Sequence, residues 1–78
     1  MVTIYPNPAN ERVSLNTGDA ISGDLTLEIY DIVGTLVKSE ILKAGIRQIF
    51  TGDLESGIYM LTIRLENMTI NKKLIIQN

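Results

Sequence analysis

The 78-residue chain has no cysteine, no histidine and no tryptophan, and its aromatics are three tyrosines and one phenylalanine. Without cysteine there is no disulfide, no thiolate metal site and no cysteine nucleophile. Without histidine the commonest general base and the usual zinc ligand are missing. A serine hydroxyl then has no ordinary proton acceptor near neutral pH, and no Ser–Lys spacing replaces one. Asp53 and Glu55 could pair as carboxylates, but they flank an inward Leu54 and read as a charged turn. No apolar run approaches the roughly 20 residues of a spanning helix, and no basic stretch precedes an apolar one as in an export leader. Seven basic and nine acidic residues give a net charge of −2, with no basic stripe to meet a nucleic acid. These absences argue against an enzyme, a cofactor, a nucleic-acid partner and direct membrane insertion.

What is present favours strands. Twelve Ile, seven Thr and four Val are β-branched, and six glycines at 18, 23, 34, 45, 52 and 57 punctuate the apolar runs. Seven strands are predicted, at 2–5, 12–16, 25–30, 36–41, 47–50, 58–65 and 69–77. In the third, Leu25, Leu27 and Ile29 point inward. In the sixth, Tyr59, Leu61, Ile63 and Leu65 do so. Asn67 is expected at positive φ in a tight turn between the last two strands. Seven short antiparallel strands in one domain spanning 1–78 predict an all-β, immunoglobulin-like antiparallel sandwich, with a small barrel as the alternative. A domain near this size buries only about 60% of its unfolded surface, so packing and strand pairing must hold it.

Candidate binding features are few. The 16–24 segment carries oxygen ligands of the kind calcium accepts, but without the spacing of an EF-hand, and it reads first as a plain loop. Asn67-Met68-Thr69 matches a glycosylation acceptor, and the turn explains Asn67 equally well. Three local patterns are more distinctive. Tyr5-Pro6-Asn7-Pro8-Ala9-Asn10 is a stiff elbow, since each proline fixes φ and removes a donor. Ile29-Tyr30-Asp31-Ile32-Val33-Gly34-Thr35-Leu36-Val37 is a hairpin in which Asp31 caps turn amides and Gly34 supplies positive φ. In Leu54-Glu55-Ser56-Gly57-Ile58-Tyr59, Leu54 plugs the core. Gly57 turns the chain, and the Tyr59 hydroxyl can reach back to the backbone near Leu54 as a tyrosine corner.

Taken in order, these patterns and a final Lys72-Lys73-Leu74-Ile75-Ile76 resemble the type A C-terminal sorting domain of type IX secretion cargo in Bacteroidota, over nearly the whole chain. The resemblance implies a signal rather than a catalyst. Such a domain ends a larger secreted protein and directs it from the periplasm across the outer membrane to the cell surface or medium. It implies recognition by translocon and shuttle proteins and removal by a sortase-like surface protease, at a point upstream of the folded domain. By position it marks Pro6, Asn7, Pro8, Gly34, Gly57, Tyr59, Lys72, Lys73 and Leu74 as recognition candidates. On this reading the chain is a tail cut from a longer protein.

The last strand has a physical reading of its own. Ile70, Leu74 and Ile76 share one face, interrupted by Lys72, and lysine on a strand face guards an edge. An open edge along 69–77 could pair with a partner strand, or support a weak edge-strand dimer of an otherwise monomeric domain. The competing function is a structural, adhesive or carbohydrate-binding module, for which Tyr5 and Tyr30 are the available exposed aromatics.

Overall fold

The computed structural model describes residues 2–17, 23–43, 47–65 and 67–78. Seven strands and no helix appear among them: β1 (Thr3–Tyr5), β2 (Arg12–Asn16), β3 (Leu25–Tyr30), β4 (Leu36–Leu42), β5 (Gln48–Phe50), β6 (Gly57–Leu65) and β7 (Met68–Ile76). The expected strands are all present, with ends displaced by a residue or so. Two antiparallel sheets form, one ordered β1-β2-β5 and the other β4-β3-β6-β7. The fold is thus an immunoglobulin-like β-sandwich, with the fourth strand beside the third in the larger sheet.

Alternation drives the packing. In β3 the burial pattern is strictly two-fold, because even-numbered positions carry Thr26, Glu28 and Tyr30 and odd ones carry Leu25, Leu27 and Ile29. Leu27, Ile29, Leu61, Ile63 and Leu74 from the larger sheet meet Val13 and Ile49 from the smaller, all essentially without exposed surface. Leu54 and Tyr59 close the core as partly buried neighbours. At about 25 cal/mol per Å², each such apolar side chain contributes about 1.5–3 kcal/mol of burial. On the outer face of the larger sheet, Arg64 Nε donates to Glu28 Oε1 at 2.6 Å, and the Tyr30 hydroxyl donates to the same oxygen at 3.0 Å.

Two expectations are corrected. No non-glycine residue among those described has positive φ, so Asn67 turns the β6–β7 hairpin without it. Tyr30 is half-buried and bonded to Glu28, so the exposed aromatic rings are those of Tyr5 and Phe50. Most of the loop read as a possible calcium ligand set, 18–22, lies outside the described residues. Among those described, no group of three or more acidic residues gathers as a metal site.

Candidate functional site

Antiparallel pairing brings alternate strand ends to one pole of the sandwich. The end of β3 and the starts of β4 and β6 lie there together with the end of β7, as the pairings Tyr30↔Leu36, Tyr30↔Met60 and Gly57↔Ile76 require. All four sequence motifs meet at this pole, although they are far apart in the chain.

The elbow is the least expected part. Both Tyr5–Pro6 and Asn7–Pro8 are cis. The bend lays the elbow along the outer side of β7. Asn7 Nδ2 donates to the Lys73 carbonyl at 3.0 Å, and Asn7 Oδ1 accepts from the Ile75 amide at 3.0 Å. A side-chain amide has the same donor and acceptor as a peptide group, so Asn7 stands in for a strand residue. Ala9 continues the pairing: its N–H donates to the Ile75 carbonyl at 2.8 Å, and its carbonyl accepts from the Gln77 N–H at 2.7 Å. The bridge Ala9↔Ile76 is parallel, and Ala9 is buried. The first and last motifs are therefore one object. The open edge expected along 69–77 survives only in its first part, because from Lys73 onward the elbow occupies it.

The turn behaves as its sequence dictates. Asp31 Oδ1 accepts from the amides of Val33 at 3.1 Å and Thr35 at 2.9 Å, and Gly34 sits at φ +90°. An L side chain there would meet its own backbone, which is why glycine occupies the position. The tip projects Ile32 and Val33, 82% and 81% exposed.

The corner is a tyrosine corner. The Tyr59 hydroxyl donates to the Glu55 carbonyl at 2.6 Å. Burial, and then the charges of Glu55 and Asp31, push its pKa above the usual 10.0. A groove of about 360 Å³ lies between turn and corner, lined by Asp31, Ile32, Glu55, Gly57, Ile58 and Tyr59 among others. On the far side, Lys38 Nζ reaches Asp53 Oδ2 at 2.9 Å and lies 5.8 Å over the Phe50 ring. The lysine hydrogen bond holds the Asp53 carboxyl below its usual 3.8.

Several residues here carried no sequence signal. Asn78 Nδ2 donates to the carbonyls of Thr51 at 2.9 Å and Leu54 at 2.6 Å, and its backbone exchanges bonds with the Ser56 hydroxyl. Thr51 is fully buried, its hydroxyl donating to the Asn10 carbonyl at 2.7 Å, while its amide and that of Gly52 donate to the Glu11 carbonyl. A Cβ at Gly52 would stand 2.6 Å from the Phe50 ring. Only the folded chain brings these partners within reach.

The nine recognition candidates separate by exposure. Pro6, Asn7, Pro8, Gly34, Gly57 and Lys73 are on the surface, and Tyr59 is half-buried. Leu74 is fully buried and acts through packing. Lys72 is half-buried at mid-strand opposite Leu61, on the core-facing side of the sheet, so it and Lys73 point to opposite faces.

Residues 3–77 match the sequence model of the secretion system C-terminal sorting domain. The chain belongs to this family. It is a sorting signal for type IX secretion, one that marks a protein for export across the outer membrane, and the family is not a catalytic one. Among curated proteins none matches this chain. The elbow, turn, corner and the end of β7 lie together at one pole of the sorting domain.

Proposed function

We propose that this pole is the face by which the outer-membrane type IX translocon and its shuttle proteins read the domain, with a sortase-like protease then cutting the cargo upstream. The observation that carries the reading is the convergence of four separated motifs at one pole, with the exposed Ile32–Val33 tip and a groove beside it, and with Lys73 exposed on β7. Exposed apolar groups rimmed by charge suit protein recognition better than sugar binding, for which Tyr5 and Phe50 alone give thin support.

The test is a fluorescent reporter placed behind a Sec signal and ahead of this domain, in a bacterium with and without a working type IX system. Surface display should need that system. Val33→Asp and Lys73→Glu alter exposed side chains and should leave melting within about 0.5 kcal/mol of the parent while cutting display severalfold. Display in the defective host would refute the route. Full display of both variants in the competent host would refute the pole as the face that is read.

A further inference from the structure

A sandwich has four edge strands, and three of these are blunted. β1 and β5 present three residues each. β7 is covered by the elbow from Lys73 onward and turns Lys72 inward before that. The fourth, β4, is seven residues long, contains no proline and ends the larger sheet; a bulge at Val37 near its start leaves Lys38–Leu42 in regular register with β3. It exposes Leu36, Val37 and Ile41, the last at 66%. Its outer side carries a row of unpaired backbone groups, so its natural occupant is another extended strand.

The sequence of β4 says which strand. It reads Leu-Val-Lys-Ser-Glu-Ile-Leu, nearly a palindrome in chemical type about Ser39. In an antiparallel pair, directly opposite residues share a face, so a two-fold pairing of β4 with itself must centre on a residue. Centring on Lys38 sets lysine against lysine, and centring on Glu40 sets glutamate against glutamate. Centring on Ser39 sets Lys38 against Glu40 twice and Val37 against Ile41 twice. Lys38 and Glu40 lie opposite Ile29 and Leu27 of β3, so both belong to the inner face of the sheet, as the pairing demands. Among the described residues no ion pair reaches Glu40, whereas Lys38 holds Asp53 through one of its three N–H donors and can serve a second carboxylate.

We infer that β4 is a self-recognition edge, through which two copies of the domain join their larger sheets into one eight-stranded sheet centred on Ser39. The charges select the register, by attraction in one alignment and repulsion in its neighbours. The inference is independent of the export pole, because it concerns a different strand edge and is tested without any secretion machinery.

The experiment uses the 78-residue chain in sedimentation velocity over a wide concentration range. The parent should associate reversibly. Glu40→Lys, which faces Lys38 of the second copy with a like charge, should associate about tenfold more weakly or worse. Lys38→Glu should also weaken self-association. An equal mixture of the two single variants should restore it, because every opposed pair is then of opposite sign. Lys38→Glu also disturbs the Asp53 pair, so cysteine trapping provides a check that does not depend on it. Ser39→Cys should give a disulfide-linked dimer on mild oxidation, and Thr3→Cys on the β1 edge should not. A parent that stays monomeric at millimolar concentration, or Ser39→Cys linking no faster than Thr3→Cys, would overturn the inference.

Discussion

The Tyr59 hydroxyl bridges 2.6 Å to the Glu55 carbonyl across the bend that opens β6. Removing it with Tyr59→Phe leaves the ring packing intact and the carbonyl without its donor. The expected loss is about 1 kcal/mol, or a fall of about 4–8 °C in Tm by differential scanning calorimetry. The same bond predicts an alkaline signature. Burial and nearby carboxylates raise the folded pKa of Tyr59 above the usual 10.0, so its contribution is complete below pH 10 and is lost as pH rises through the folded value. The parent should therefore lose stability above pH 10 more steeply than Tyr59→Phe. The acid side runs the other way. Glu28 is held below its usual 4.5, mainly by its hydrogen bond from Arg64, and Asp53 below 3.8 by Lys38. Their contributions are present above those values and disappear as pH falls through the lowered ones, so Arg64→Gln should flatten the acid limb of the Tm profile.

At the scale of elements, the informative strand is β7, which is half covered. Ile75 directs its N–H and C=O to the elbow, so alternation directs those of Asn71 and Thr69 to the same, uncovered side. Hydrogen exchange should divide the strand. The Ile75 and Gln77 amides should be protected and those of Thr69 and Asn71 should exchange early. Asn7→Leu should abolish protection at Ile75 and lower stability by about 1–2 kcal/mol, since it removes both the donor to the Lys73 carbonyl and the acceptor for the Ile75 amide. An unchanged exchange pattern in Asn7→Leu would mean that the elbow does not depend on the side-chain amide.

For the whole molecule, the radius of gyration of 11.7 Å matches the value of about 11.5 Å expected for a compact chain of this length. The fold is closed by contacts between distant parts of the sequence: the bonds of Asn7 to Lys73 and Ile75 span 66 and 68 residues. Removing residues 73–78 takes away Leu74 and Ile76 from the core, the partner of the elbow and the Asn78 amide at the corner. Losing one buried leucine costs about 2–5 kcal/mol, and a small domain holds little more than that in total. The truncated domain should show collapsed amide dispersion by NMR. Loss of export in that truncation would therefore report unfolding, and the surface variants Val33→Asp and Lys73→Glu are the ones that test recognition.

The strands, their inward faces, the Asp31–Gly34 turn and the Tyr59 corner were legible in the sequence because each depends on residues within a few positions: period-two alternation, a turn glycine, a hydroxyl four residues from its acceptor. The order of motifs was equally legible, and with it the family. The sequence did not show that Pro6–Ala9 would occupy the edge of β7, that Asn78 would fasten the corner at Thr51 and Leu54, or that β4 would be the long edge left open. Each of these depends on which segments lie side by side once the two sheets close. Backbone donors and acceptors are alike at every position, so only the three-dimensional packing decides which of them meet.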